Sequence, residues 1–254
     1  MPRRDQLDFV FLVGATKNMR PCVNVLRDNI GVFADLLAGI VDGSQTVLDW
    51  RARVVGYRDW GADDPASSTW LTGNVFTRDA AALREQFAAL PLHGGNSSSP
   101  QPLLDAMMAV ATAGSVDSQA TEENSDKWRE RKSTPRFVIV FMDAGFHPTM
   151  SVPEYEGAGV KDLYNVYDQE RIRPYFFATE DPSYELLGSF KGAVRTWGSS
   201  GGDGLAALIG DSDGWRRTLE QLVRWIVYPL HIAPDPGRLT EALNRSIERI
   251  RRFQ

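Results

Sequence analysis

The chain has 254 residues, of which 43% are hydrophobic and 24% are charged, and its formal net charge is −5. These shares are those of ordinary soluble globular proteins, and they exclude a disordered chain and a fibre. The modest negative charge does not favour nucleic acid as a partner, because phosphate backbones are bound by basic surfaces. Cys22 is the only cysteine, so an intrachain disulfide is excluded and a buried apolar role is predicted for it.

The N-terminal segment resembles neither a secretion signal nor a membrane helix. Arg3 and Arg4 precede an apolar run of residues 9–13 only, before Lys17 and Arg20 intervene. A membrane helix needs about 20 apolar residues, and no other stretch of the sequence approaches that length. We therefore expect a cytoplasmic protein without a membrane span.

The first half of the chain alternates strand-like and helix-like segments. Residues 9–13 form a continuous β-rich apolar run, which is typical of a strand buried on both faces of a parallel sheet. A second strand is predicted at residues 52–57 and a short edge strand within residues 69–76. Between the first two strands, a helix beginning near Pro21 is predicted by apolar residues at helical spacing: Val23, Leu26, Ile30, Phe33 and Leu37.

The alternation continues in the second half. Asp79 is predicted to cap a helix that carries Leu83, Phe87 and Leu90, and a further helix is predicted over residues 103–110. The polar residues 115–134 show little apolar periodicity, which predicts an exposed loop or a short helix. Residues 136–142 form the clearest strand, and shorter strands are predicted at residues 174–178 and 193–197. This order predicts an α/β fold with a doubly wound, mostly parallel central sheet flanked by helices and one antiparallel edge strand.

The C-terminal part is predicted to form a short extension. A helix is expected at about residues 213–227, followed by a proline-containing linker and an amphipathic helix over residues 239–253 whose far end is rich in arginine. We therefore divide the chain into one domain, residues 1–228, and an extension, residues 229–254.

Polar residues are concentrated in the loops that follow strands. In open parallel sheets, ligands bind where the strands end at their carboxyl termini, and we call this side of the sheet the carboxyl edge. Thr16 and Asn18 follow the first strand, residues 97–99 precede a helix, and Asp143 ends the strand at 136–142. Hydroxyls with a carboxylate suit a hard cation such as Mg²⁺. Taken singly, Thr16, Asn18 and Ser98 are better explained by ordinary turn chemistry.

Four segments together resemble the von Willebrand factor A family, over residues 7–228. The family's Asp-x-Ser-x-Ser motif corresponds here to Gly-Ala-Thr-Lys-Asn at residues 14–18, and residues 55–61 (Val-Gly-Tyr-Arg-Asp-Trp-Gly) resemble the Tyr-Arg-Asp-Tyr-Gly variant of bacterial members. Residues 93–101 (His-Gly-Gly-Asn-Ser-Ser-Ser-Pro-Gln) resemble a glycine-rich segment that brings a further ligand, at Ser98 or Ser97. Residues 138–148 (Val-Ile-Val-Phe-Met-Asp-Ala-Gly-Phe-His-Pro) are similar to the third motif, Thr-Asp-Ala-Pro-Pro-His.

The resemblance implies a degenerate metal-ion-dependent adhesion site. Gly14 stands where the family has an acid, and Asn18 stands where it has a hydroxyl. The metal ligands that the resemblance implies, if the site still functions, are Thr16, Asn18, Ser98 and Asp143. No resident cofactor is expected, because the loss of one carboxylate weakens affinity for Mg²⁺.

The resemblance further implies a scaffold module of a bacterial multi-protein system that is not an enzyme. Its partner is expected to be another protein of that system. The predicted partner-binding residues at the carboxyl edge are Thr16, Asn18, Asp59, Ser98 and Asp143. Asp59 is equally well explained as an ion pair or cap beside Arg58.

Two other functions remain open at this point. A hydrolase or nucleotide-using enzyme would use Asp143 as an acid, a base or a metal ligand, although the sequence has none of the glycine-rich phosphate loops or nucleophile elbows of such enzymes. A purely structural subunit would act through the arginine-rich helix predicted at residues 239–253.

Overall fold

The computed structural model describes residues 3–41, 46–59, 70–94, 100–116, 125–190, 194–198 and 204–207, together with residues 218 and 222. The helix predicted at residues 213–227 is described only at Thr218 and Leu222, which are helical and buried. The extension at residues 229–254 lies outside the described residues, as does Ser98.

A six-stranded sheet forms the centre of the molecule, in the order β3-β2-β1-β6-β7-β8. All neighbouring strands are parallel except β2 and β3, which are antiparallel. The predicted fold class is therefore confirmed, with the short β3 as the antiparallel edge strand. The strands of the sheet are β1 (Arg3–Gly14), β2 (Thr46–Tyr57), β3 (Leu71–Gly73), β6 (Arg136–Met142), β7 (Ile172–Thr179) and β8 (Val194–Gly198).

Helices cover both faces of the sheet. The α-helices whose full extent lies within the described ranges are α1 (Arg20–Val41), α2 (Ala80–Ala88), α3 (Leu103–Ala111) and α4 (Val160–Glu170). Phe9 and Phe11 of β1 pack with α1 and α2 in one core, whereas Val10 and Leu12 pack with α3 and α4 in the other. This alternation follows from the two-residue period of a strand, and it explains why residues 9–13 of β1 and 137–142 of β6 are apolar throughout. No helix in the described ranges is long and apolar enough to cross a membrane.

The segment predicted to be an exposed loop or short helix, residues 115–134, is partly a buried structural element, and this prediction was wrong. It contributes the two short parallel strands β4 (Ser115–Val116) and β5 (Trp128–Arg129), and both residues of β5 are buried. The indole of Trp128 donates to the carbonyl of Val110 over 2.8 Å. Apolar periodicity did not predict β5 because one of its two buried residues, Arg129, is charged.

Arg129 belongs to a buried group of ion pairs, which we call the Asp8 cluster: Asp8, Arg51, Arg129 and Arg136. The Asp8 carboxylate accepts hydrogen bonds from Arg51 at 2.9 and 2.8 Å and from the Arg129 side chain and backbone at 2.7 Å each. Arg136 donates to the Arg129 carbonyl at 2.7 Å. Asp8 pairs in register with Arg51 of β2 and with Arg136 of β6, so the cluster crosses three adjacent strands. It fixes β5 against the sheet on the side away from the carboxyl edge.

Candidate functional site

The carboxyl edge has its topological switch point between β1 and β6. The chain leaves β1 towards β2 on one side and leaves β6 towards β7 on the other, so the two following loops diverge. Ligands of doubly wound sheets bind in the crevice that such loops leave. Val13 pairs in register with Phe141, so Thr16 and Asp143 begin neighbouring loops on strands about 4.8 Å apart.

Thr16 is enclosed by backbone hydrogen bonds on either side. Ala15 donates to the carbonyl of Tyr57 at 2.7 Å, and Lys17 donates to the carbonyl of Gly94 at 3.2 Å. Thr16 is 3% exposed and directly precedes a 3₁₀ turn, Lys17–Met19, yet its side chain makes no capping hydrogen bond. Its hydroxyl has no hydrogen-bond partner within the described part of the chain. Ordinary turn chemistry therefore does not account for this side chain.

Gln101 and Asp143, on the β6 side of the switch point, are also buried and also have a side-chain oxygen without a hydrogen-bond partner in the described part of the chain. Asp143 is 4% exposed and Gln101 is 3% exposed. Asp143 Oδ2 and Gln101 Oε1 both lack a hydrogen-bond partner among the described residues. The backbone of Gln101 is fixed to the loop after β6, since its N–H donates to Gly145 at 2.9 Å and its carbonyl accepts from His147 at 3.1 Å. We call Thr16, Gln101 and Asp143 the acceptor trio.

The described groups whose pKa is affected by the charge of Asp143 are a thiol and two phenols. Burial raises the pKa of Asp143 above its ordinary value, against a smaller opposing effect from its own backbone hydrogen bond. Burial, with a further contribution from the Asp143 charge, raises the pKa of Cys22, of Tyr57 and of Tyr184. The Tyr57 hydroxyl donates to the Met142 sulfur at 2.8 Å, so it does not donate to the Asp143 carboxylate. The groups around Asp143 thus include two phenols and a thiol that stays protonated.

The buried Asp143 carboxyl makes the stability of the chain depend on pH. Because its pKa in the folded chain lies above the ordinary value of 3.8, Asp143 disfavours folding increasingly as the pH rises from that value through the raised pKa, and by a constant amount above it. Asp143→Asn removes this penalty. The difference in unfolding free energy between variant and wild type is therefore expected to shift in favour of the variant as the pH rises above 3.8, until it passes the raised pKa. Urea denaturation of both proteins measures it, and a difference that does not change with pH would contradict the assignment.

Asp181 is a second carboxylate at the carboxyl edge, and the sequence did not single it out. It follows β7 and caps the 3₁₀ helix Pro182–Ser189, accepting from the backbone and the hydroxyl of Ser183 at 2.8 and 2.6 Å. Its carboxylate lies against Gly145, where an added Cβ would come within 2.7 Å of it. Asp181 therefore fixes the loop after β6 and is already engaged by hydrogen bonds.

The other predicted site residues lie around the switch point without joining the trio. Asn18 is half-buried within the 3₁₀ turn, and Asp59 is half-buried after β2, one strand away from β1. At Gly14 an added Cβ would lie 3.8 Å from Tyr57 Oη, so the position has room for a side chain. No group of three or more His, Cys, Asp or Glu side chains that could hold a metal ion occurs among the described residues.

Comparison with known proteins gives no match to a family model and none to a curated protein. Among solved structures, proximal thread matrix protein 1 from the mussel byssus is similar at 13% identity, over 83% of this chain and 45% of that chain, with a TM-score of 0.43. The pilus adhesin SpaC from Lactobacillus rhamnosus GG is similar in one crystal form at 9% identity, over 84% of this chain and 31% of that chain, with a TM-score of 0.42. The open conformation of SpaC is similar at 8% identity, over 84% of this chain and 30% of that chain, with a TM-score of 0.42. The chain spans less than half the length of these proteins.

Among the described residues, the side-chain oxygens at the switch point do not fit a resident magnesium ion. The acceptor trio offers one carboxylate, one amide oxygen and one hydroxyl. Gly14 has no side-chain oxygen, and Oδ1 of Asp181 already accepts from Ser183. A dication held by the trio would therefore have a single carboxylate, which leaves half of its charge uncompensated in a buried site.

Proposed function

We propose that this chain is a protein-binding module, of the kind represented by von Willebrand factor A domains, that presents its carboxyl edge to a protein partner and holds no resident metal ion. The observation that carries the proposal is the acceptor trio. Three buried polar side chains lie around one switch point, and each has an oxygen without a hydrogen-bond partner in the described part of the chain.

Unsatisfied buried polar atoms are rare because each costs about 1–3 kcal/mol. A ligand that supplies hydrogen bonds to all three oxygens recovers that free energy on binding. The trio also lies at the position where doubly wound sheets bind their ligands. Shape and hydrogen bonding then replace the metal bridge that the family resemblance implies, so binding does not depend on a divalent ion.

An enzymatic function has one observation in its favour, the buried Asp143 with its raised pKa. The groups around Asp143 do not support it. Cys22 and Tyr57 have pKa values raised by burial, so neither forms the ionised nucleophile that a covalent mechanism needs at neutral pH. A binding function uses the same residues without requiring a nucleophile.

Site-specific photocrosslinking in the cells from which the chain derives tests the proposal. A photoreactive residue replaces Lys17, which is exposed at the carboxyl edge, or Lys132, which is exposed in the turn before β6 on the opposite side of the sheet. We expect position 17 to crosslink to one discrete protein, position 132 not to do so, and the crosslink to disappear when Thr16→Val and Asp143→Asn are added. Crosslinks that are equal at both positions, or unaffected by the two substitutions, would refute a binding site at this edge.

A further inference from the structure

We infer that the acceptor trio receives the ammonium group of a lysine side chain from the protein partner. The inference rests on the proposed function and specifies the chemistry of the partner. It reverses the polarity of the metal-bridged arrangement, in which the partner contributes a carboxylate.

The first argument is the match between donors and acceptors. Asp143 Oδ2 and Gln101 Oε1 can only accept hydrogen bonds, and the Thr16 hydroxyl can accept one. An ammonium group has three N–H donors and no acceptor, so its donors equal in number the unpartnered oxygens of the trio. A carboxylate from a partner would instead face Asp143 with like charge and without a donor from Gln101 Oε1.

The second argument distinguishes lysine from arginine. Guanidinium groups bind best where a carboxylate offers both oxygens in a bidentate arrangement. Only one oxygen of Asp143 lacks a partner, and the other two acceptors are single atoms on separate elements, the loop after β1 and the segment before α3. Separate single acceptors fit the compact, rotatable ammonium group.

The third argument is the burial of the trio. All three side chains are at most 4% exposed, so a group that binds them is largely removed from water. The four-carbon stem of lysine is slender and apolar and carries its charge at the end. Lys17 and Arg20 are also cationic near this edge, but both are exposed and solvent-screened, whereas the Asp143 charge acts from a less polar environment.

A peptide array probed with the intact chain tests this inference. The array holds peptides with randomised flanks and a fixed central lysine, arginine, norleucine or glutamate, and it is probed once with a chelator and once with Mg²⁺. We expect lysine-centred peptides to bind about tenfold or more tightly than their norleucine counterparts, as measured by fluorescence anisotropy on the selected sequences, and to do so equally in both buffers.

Three variants assign the effect to the trio. Asp143→Asn removes the charge, and Gln101→Met removes an acceptor without changing charge; both are expected to abolish the preference for lysine over norleucine. Asp181→Asn is the matched control, because this carboxylate lies at the same edge but already accepts from Ser183, and it is expected to retain the preference. Thermal melts establish that each variant is folded, and Gln101→Met provides the test if Asp143→Asn is not.

Other outcomes overturn the inference in distinct ways. A preference for glutamate-centred peptides that the chelator abolishes would replace lysine recognition by metal bridging and leave the proposed binding function intact. Arginine-centred peptides that bind as tightly as lysine-centred ones would refute the choice of ammonium. The absence of any central-residue preference, or a lysine preference that persists in Asp143→Asn and Gln101→Met, would exclude the trio as a lysine site, and the photocrosslinking result would then decide the proposed function separately.

Discussion

An Asp8→Ala variant is expected to lose about 3–5 kcal/mol of unfolding free energy, the cost of removing one partner from a buried ion pair. Asp8 is fully buried and is the carboxylate shared by Arg51 and Arg129, so its removal leaves the Arg51 guanidinium without its carboxylate and leaves Arg129 with Asp49 alone. Arg136, which lies beside Asp8 in the register of the sheet, keeps its own ion pair with Glu170. Urea denaturation with linear extrapolation measures the loss.

The matched control for Asp8→Ala is Asp28→Ala. Asp28 also forms an ion pair at 2.9 Å, with Arg27, but its side chain is 61% exposed. Exposed pairs contribute at most about 1 kcal/mol, so this variant is expected to unfold almost as wild type does. If the two variants lose similar amounts, the Asp8 cluster does not stabilise the fold in the way its geometry indicates.

The sequence predicted those elements whose buried residues are apolar. Residues 9–13 and 136–142 read as buried strands because both faces of β1 and β6 are covered by helices, which requires unbroken apolar runs. Arg129 carried no such signal. Its burial depends on Asp8, more than a hundred positions earlier in the chain, and no local pattern reports a pairing between residues so far apart.

The residues of the candidate site also divide into those that the sequence could predict and those that it could not. Thr16 and Asp143 could be predicted because they directly follow strands, and the order of parallel strands brings strand ends together. Gln101 and Asp181 could not. The position of Gln101 depends on its backbone hydrogen bonds with Gly145 and His147, and that of Asp181 on its packing against Gly145; both contacts form only when separate loops meet.

The two groups of buried polar residues differ in one respect that separates structure from function. In the Asp8 cluster the carboxylate accepts four hydrogen bonds from two arginines. In the acceptor trio, each of the three side chains retains an oxygen without a partner among the described residues. Asp105 Oδ2 and Arg53 Nε also lack a partner among the described residues, so the missing bond alone does not mark a site. What distinguishes the trio is that three such oxygens belong to loops around one switch point, where a ligand can supply the missing bonds.

Restoring an acid at Gly14 is expected to convert the carboxyl edge into a metal site. Without metal, Gly14→Asp is expected to destabilise the chain by several kcal/mol, because it buries a second carboxylate near Asp143 with no counter-charge. The cost is electrostatic, since an added Cβ at Gly14 meets its neighbours no closer than 3.8 Å. Mg²⁺ then has two carboxylates and the Thr16 hydroxyl to bind, and at a concentration about ten times its dissociation constant it should return roughly 1.4 kcal/mol.

Thermal melts of Gly14→Asp in chelator and across a magnesium series measure both effects. Gly14→Asn has the same side-chain size without the charge, and it is expected to show neither the large loss nor the magnesium response; wild type is expected to show no response either. If Gly14→Asp is as unstable in magnesium as in chelator, residues 14 and 143 do not bind the same ion. The resemblance of residues 14–18 to a metal-binding motif would then be a resemblance of sequence without a shared metal site. A magnesium response in wild type would instead mean that Asp143 and Thr16 suffice for the ion, and lysine recognition by the trio would have to compete with it.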